Sequence, residues 1–476
     1  MVKGQFVDSA VPITSDVEQA QYFVQIFGRD LRWVPEWGVF VIWNGKVWRR
    51  VEQIFVIKNF LRIIRAPRAD QNEKLQGLVD WPAIPTSYQA IKSMLHLVKA
   101  KLAIHHDRFD SHRHLLNVQN GILDLRTTRL FKHKRMAYCT NLTQAKFITS
   151  PKYPKRFVRA LCAMVSLSAE RLAKYGFREN YRRVLYLRRF FCSAFYGEVR
   201  DHIFHVLVGP GANGKSTIIE LFTYICGTYA SQISLKTLTS RRPSHNDLAR
   251  LHGKRFVSSA ETDQDQELNA ATIKSLTGGD TISARFHYKE WFDFIPQATL
   301  ILHTNHEPQV SDRSEGFWRR MRLIQCGQPI PAGKRERHLI ETLKSDSDNI
   351  FSWIIRDAHK YNTEGFFVPK SITDDTIRYK EDSNPLRDLL EYFDVEPDRS
   401  KITEGHKYRT SAANIQFIYN GQRLASGNPE IKSKTLGRML KDDGFLPGRA
   451  TIGSKSRRCY FGLRPKSTAP SIEEMG

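Results

Sequence analysis

Between residues 20 and 65 aromatic and aliphatic positions alternate with polar ones, as in RDLRWVPEWGVFVIWNGKVWRR, and this spacing predicts short antiparallel strands. At 85–105 and 155–195 Leu, Ile and Phe recur at helical spacing, with Arg on many of the remaining positions. Between these helices NVQNGILDLRTTRLF carries turn signals at Asn120-Gly121 and Thr127-Thr128, predicting a hairpin. From residue 202 the pattern changes. IFHVLVG, RFVSSA (255–260), ATLILHTN (298–305) and RLIQC (322–326) are short continuous apolar runs, with helical stretches between some of them. Strands of this kind are buried on both faces, so the region reads as an open, largely parallel α/β sheet. Beyond about 365 a polar stretch near 395–410 leads to a predicted helix (412–425), a second helix (432–443) and a hairpin (445–463). The expected division is 1–195, 196–365 and 366–476.

Composition narrows the class. The 476 residues carry 73 Lys and Arg against 49 Asp and Glu, a formal charge of +24, and 41% are hydrophobic, enough for buried cores. Such an excess predicts a polyanionic partner, most simply nucleic acid, although a plain basic protein or attraction to a membrane surface also fits. No apolar run is long enough for a spanning helix, and MVKGQFVDSAVPITSD lacks the basic-then-apolar order of a secretory signal. The six cysteines are scattered without a CxxC pair. They read as reduced thiols of a cytoplasmic protein, neither a disulfide framework nor a zinc site.

The most specific signal is GPGANGKST, comprising Gly209, Pro210, Gly211, Ala212, Asn213, Gly214, Lys215, Ser216 and Thr217. It fits GxxxxGK[ST], directly after an apolar strand and before a helix. The glycines let backbone N–H groups turn toward phosphates, and the helix dipole adds favourable potential. Lys215 would neutralise the β- and γ-phosphates of ATP, and Ser216 would hold Mg²⁺. RFVSSAETDQD places Glu261 and Asp263 at a strand end, where a carboxylate can hold Mg²⁺ or polarise the attacking water. Glu261 is assigned that work; Asp263 is either a second metal ligand or a solvated loop acid. Asn305 ends the run ATLILHTN and can orient the hydrolytic water. In FWRRMR, Arg319 or Arg320 is suited to reach a neighbouring subunit's γ-phosphate; the alternative is a solvated basic face.

In their order and spacing, GPGANGKST (209–217), SSAETD (258–263), KSLTGGDTISAR (274–285), HTN (303–305) and FWRR (317–320) resemble a superfamily 3 helicase, of the branch found in phage and plasmid primase-helicases and poxvirus helicase-primases. The resemblance extends over roughly 20–380. It implies a P-loop AAA+-like helicase core after a mainly helical N-terminal domain. It also implies a homo-hexameric ring that hydrolyses ATP at subunit interfaces and acts on single-stranded and forked DNA. A channel hairpin is implied too, here TISARFHYKEWFDF (281–294), offering His287 and Lys289 to the DNA backbone. For Tyr288 hairpin packing is the alternative to a DNA contact, and Trp291 reads as hairpin packing. Of the signature residues, Lys274 and Arg285 are candidate DNA contacts, Arg285 equally a partner for an acid, and Asp280 a turn former after Gly278-Gly279.

Two departures from the family count. Glu261 is followed by Thr262 where relatives often have a second acid, which leaves the division between metal holding and base open. No paired-acid strand of a primase precedes the N-terminal region, so no primer synthesis is expected, and a separate primase or polymerase is a candidate partner. The tail exposes Lys434 and Arg438 on a helix and Arg457 and Arg458 on a hairpin, a winged-helix-like DNA-binding arrangement, with a protein-contact module as the alternative. The run His105-His106-Asp107 with Asp110, His112 and His114 matches no standard zinc spacing and reads as a polar loop. The reading is a DNA helicase in replication of a phage, plasmid or other mobile element. The alternatives are an origin-binding initiator ATPase, or a non-enzymatic scaffold whose assembly nucleotide controls.

Overall fold

The computed structural model describes residues 15–65, 87–240, 242–260, 267–288, 290–384, 386–425, 429–452 and 454–469. The chain opens on a helix, Asp16–Phe27, started by a capping box in which Ser15 and Glu18 satisfy each other's backbone N–H. Three antiparallel strands follow, Leu31–Val34, Val39–Trp43 and Trp48–Val51, then the helices Gln53–Arg65 and Tyr88–Leu102. Phe23, Phe40, Phe60, Met94 and Val98 form the core beneath them. The expected hairpin is a three-stranded meander of Leu115–Val118, Gly121–Asp124 and Arg129–Phe131. The N-terminal region thus carries two antiparallel sheets among its helices, at the alternation of 20–65 and the turn signals of 120–128 that predicted strands there. Its indole and phenyl rings pack on pleated strands as readily as on helices.

Arg178–Ser193 is buried along most of its length, and Tyr186, Phe190 and Phe191 reach His205 and Phe222 of the next region. One apolar cluster runs from Leu116 to Ile372, so the expected boundary at 195 falls inside a continuous core. Helical periodicity marks a buried face without naming what covers it.

The central sheet has five parallel strands: Phe204–Val208, Ala230–Ser234, Phe256–Ala260, Thr299–Thr304 and Met321–Gln325. They lie in the order fifth, first, fourth, third, second. Four of them were legible as apolar runs. The second, ASQIS, is a polar edge strand in which only Ile233 is buried. The helix Lys370–Asp382, placed by sequence in the last region, lies on the fifth strand, where Thr376 Oγ1 accepts from the Leu323 N–H at 3.0 Å.

The C-terminal unit folds around Leu389, Phe393, Ile415, Leu436, Leu440 and Phe461. It contains the helices Ala412–Ala425 and Ser433–Asp442, and a sheet that places Lys455–Phe461 between Leu446–Ile452 and Arg409–Ser411. The polar stretch expected as a linker supplies Ile402 to this core and the strand Phe393–Val395, which pairs with Leu463–Pro465. Asp443, at the end of its second helix, forms an ion pair of 2.7 Å with Arg313 of the central region; both side chains are about nine-tenths buried. All six cysteines are free thiols. Among the described residues no helix is long and apolar enough to cross a membrane.

Candidate nucleotide site and basic surfaces

The glycine-rich loop joins the C-terminal end of the first strand, which lies between the fifth and the fourth, to the helix Lys215–Cys226. Gly214 has φ +93° as that helix's N-cap, and Gly209 has φ +158°, so both occupy backbone space that suits glycine. A side chain on Gly209 would also press on Cys326 and Asn213, each about 3.0–3.1 Å from its Cβ. The loop is tied down by the Ile330 N–H, which donates to the Ala212 carbonyl at 2.9 Å. Lys215 is almost fully buried, and its Nζ donates to Gly209 O (2.6 Å), Pro210 O (2.9 Å) and Asn213 Oδ1 (3.1 Å). Burial lowers its pKa from the ordinary lysine value. Ser216 is exposed in the first helical turn, Thr217 is half-buried, and Pro210, Gly211 and Ala212 are exposed. A cationic group, a row of turned backbone groups and a helix N-terminus at a strand end form a cradle suited to phosphate.

The fourth strand adds to it. Thr304 is the register partner of Val208, and the Gly209 N–H donates to the Thr304 carbonyl at 3.4 Å. Asn305, one residue further and exposed, therefore stands beside the start of the loop. His303 is close enough that the Lys215 charge, after burial, lowers its pKa. The third strand ends at Ala260, the register partner of His303. Glu261 and Asp263 lie outside the described residues, as does Lys289.

Arg319 and Arg320 immediately precede the fifth strand, whose Met321 pairs with Phe204 at the start of the first. They stand at the opposite end of the sheet from the loop, five strand residues or ~16 Å away at ~3.3 Å per residue. Arg319 is exposed, whereas Arg320 is half-buried and donates through Nη1 to the Gly316 carbonyl at 2.5 Å.

Lys274 is engaged within the fold: its Nζ lies 2.7 Å from Asp312 Oδ2 and donates to Ser314 Oγ at 2.7 Å. Asp280 follows Gly279, which has φ +80° at the C-cap of the helix Ala270–Gly278. The strands Ile282–Ala284 and Phe292–Phe294 pair as a hairpin. At its tip His287 is exposed, and Tyr288 is fully exposed with φ +59°. The Arg285 guanidinium lies over the Trp291 ring at 4.7 Å, and that ring meets His245 edge-on. In the tail Lys434, Arg438 and Arg458 are exposed and Arg457 half-buried, with Arg449 opposite Arg458 in the hairpin.

A basic cleft of about 670 Å³ lies between the N-terminal sheet and the central region, lined by Arg49, Arg50, Arg250, His252 and Lys254, with no carboxylate lining it among the described residues. The Arg50 guanidinium sits over Trp37 at 4.6 Å and near Phe286 of the hairpin at 5.6 Å. Burial lowers the pKa of both Arg50 and Lys254. Sequence reading missed this cleft, because WRR and HGKR become neighbours only through the fold.

Residues 20–163 match the family described as D5 N terminal like, and 207–320 match a family of unknown function. The chain is 26% identical over 314 residues to a protein named putative helicase from Acanthamoeba polyphaga mimivirus, covering 61% of this chain and 32% of that one. It is 34% identical over 149 residues to a putative helicase of Frog virus 3, covering 29% and 15%. Over 243 residues it is 23% identical to a putative primase of African swine fever virus, covering 48% and 24%. The chain therefore spans about a third or less of these relatives' lengths. In fold it is similar to the apo C-terminal region of NrS-1, with a TM-score of 0.52, 10% identity, and coverage of 95% of this chain and 100% of that one. The chain is thus similar, over its N-terminal part, to D5 N terminal like sequences, and over longer stretches to viral proteins named putative helicase or putative primase.

Proposed function

We propose that the chain is the ATP-driven DNA helicase motor of a DNA virus or related mobile element, of superfamily 3 type, working as a hexameric ring in the host cytoplasm. The observation that carries this reading is the cradle of Gly209, Gly214 and Lys215 at the end of the first strand, with Asn305 beside it. A five-stranded parallel sheet with the loop at the end of an interior strand is compatible with the P-loop AAA+-like core that the sequence resemblance implies. Mg·ATP would lie on 209–217, with Ser216 and Glu261 holding the ion, Asp263 assisting, and Asn305 orienting water. Because Arg319 and Arg320 stand at the opposite end of the sheet from their own loop, they would serve a γ-phosphate across a subunit interface, which favours a ring. The exposed tip of the hairpin, with Lys289, would grip one strand, and the basic cleft beside Phe286 would hold its phosphates. The tail would meet duplex through Lys434, Arg438 and Arg458 as a winged helix.

The test is strand displacement on a forked duplex with ATP and Mg²⁺. Unwinding by the native chain and none by Lys215→Ala is expected, with Lys289→Ala retaining hydrolysis and losing unwinding. Hydrolysis without unwinding on any fork would favour an origin initiator, and no hydrolysis on DNA would end the motor reading. Primer synthesis from ribonucleotides on single-stranded DNA is expected to be absent, a separate primase or polymerase supplying it.

A further inference from the structure

The histidine run that reads as a polar loop acquires a partner in the fold. Glu36 lies in the turn Pro35–Trp37, and His105 and His106 enter the turn His106–Arg108. The two turns are locked side by side by the backbone: the Ile104 N–H donates to the Trp33 carbonyl at 2.9 Å, and Trp33 bridges Ala103 in parallel. Glu36 Oε1 then lies 3.3 Å from His105 Nε2, and Glu36 Oε2 lies 3.8 Å from His106 Nδ1. On the far side of both rings stands Asp107, 3.1 Å from His105 Nδ1 and 3.1 Å from His106 Nε2.

Two of these atoms are unexplained by the protein alone. Glu36 Oε2 and His106 Nδ1 are both buried without a hydrogen-bond partner, and the His106 side chain is only 10% exposed. Their separation of 3.8 Å is too long for a hydrogen bond. It suits one cation bonded to each, since two metal–ligand bonds of ~2.0–2.2 Å reach as far as ~4.2 Å. Ligand atoms of Glu36, His105 and His106 lie within 4.8 Å of one another. Each imidazole offers one nitrogen toward Glu36, and its other nitrogen lies 3.1 Å from an Asp107 carboxylate oxygen, with His105 Nδ1 also accepting from the Asp107 backbone N–H at 3.4 Å; a carboxylate beside the second nitrogen is the usual outer partner of a metal-bound histidine.

We infer that Glu36, His105 and His106 form a binding site for a divalent transition ion of the zinc class, with Asp107 positioning the two imidazoles. Two nitrogen donors and one carboxylate favour such an ion over Mg²⁺, so this site is separate from the nucleotide's metal. The ion would join the two turns of the N-terminal unit, where the His106 ring meets Phe292 of the hairpin at 6.4 Å and His252 at 6.1 Å. It would thereby brace the surface against which the hairpin base packs.

The experiment titrates the chelator-stripped chain with Zn²⁺ by calorimetry, with Mg²⁺ for contrast and Co²⁺ as an absorbing probe. One Zn²⁺ per chain and visible Co²⁺ bands are expected. Glu36→Gln and His105→Ala should each weaken Zn²⁺ binding by at least about tenfold, with unchanged circular dichroism and metal-free thermal midpoint. His112→Ala should bind as the native chain does. Absence of Zn²⁺ uptake, uptake undiminished in both variants, or equal affinity for Mg²⁺ would each overturn the inference.

Discussion

Asn213 accepts from both the Nζ (3.1 Å) and the backbone N–H (3.4 Å) of Lys215, while its own Nδ2 donates to the Gly327 carbonyl at 3.1 Å. The amide sets the lysine's position and fastens the loop to the segment after the fifth strand. Asn213→Ala strands a buried carbonyl and loosens the ammonium. ATP titrations of the hydrolysis rate should show KM rising by about tenfold, and denaturant curves a loss of about 1–2 kcal/mol.

Arg319 is exposed while Arg320 is turned back onto Gly316, which makes Arg319 the better finger. Arg319→Ala should bind ATP normally and lose hydrolysis by about 10³-fold. Mixed with Lys215→Ala chains, it should regain part of the rate, because an intact loop then meets an intact arginine across some interfaces. A steady-state ATPase assay on mixtures reads this directly; absence of any recovery would sink the assignment.

Tyr288 is fully exposed and carries φ +59° at the hairpin tip, a strained conformation for a bulky residue. Tyr288→Gly should leave thermal stability unchanged or raise it slightly, since glycine adopts that backbone without cost. On forked DNA the same variant should hydrolyse ATP yet displace strands several-fold more slowly. A matched rate would mean the ring touches nothing.

Arg183 is fully buried, donating through Nε to the Val165 carbonyl (3.0 Å), through Nη1 to Ser371 Oγ (3.0 Å) and through Nη2 to the Gln325 carbonyl. It fastens a buried helix to the end of the fifth strand. Arg183→Met leaves these acceptors unpaired and takes a cation from Asp375, 3.7 Å away. Urea unfolding should show a loss of about 3–5 kcal/mol.

His205, on the first strand, is buried against Phe190 and bonded to the Tyr186 hydroxyl at 2.7 Å, and burial drives its pKa well below 6.5. Below the unfolded value the unfolded chain takes up a proton that the native chain refuses. Its contribution to stability is therefore present above about pH 6.5 and lost as pH falls below it. Urea midpoints between pH 7.5 and 5 should decline, and His205→Phe should flatten that decline.

What could be read ahead of the fold followed burial patterns along one segment. Phe204–Val208 and Thr299–Thr304 were legible because strands buried on both faces are continuously apolar. Ala230–Ser234 was not, since an edge strand with one buried side chain looks like a loop. The loop at 209–216 was legible because its chemistry is contiguous. Lys274 was a free cation in the sequence and Asp312 holds it in the fold; Glu36 had no visible link to His105 and His106. Pairings made by tertiary approach leave no periodic trace.

The ion pair of Arg313 with Asp443 gives the tail an axle. Asp443 ends the helix that presents Lys434 and Arg438, and Arg313 precedes the short helix Glu315–Trp318 that runs into Arg319. In so dry a contact the tail cannot swing without tugging that segment. If the tail grips duplex as proposed above, torque from it would be delivered at the end of the sheet remote from the subunit's own loop. In the ring proposed above, each subunit's hold on DNA is felt first by its neighbour's nucleotide.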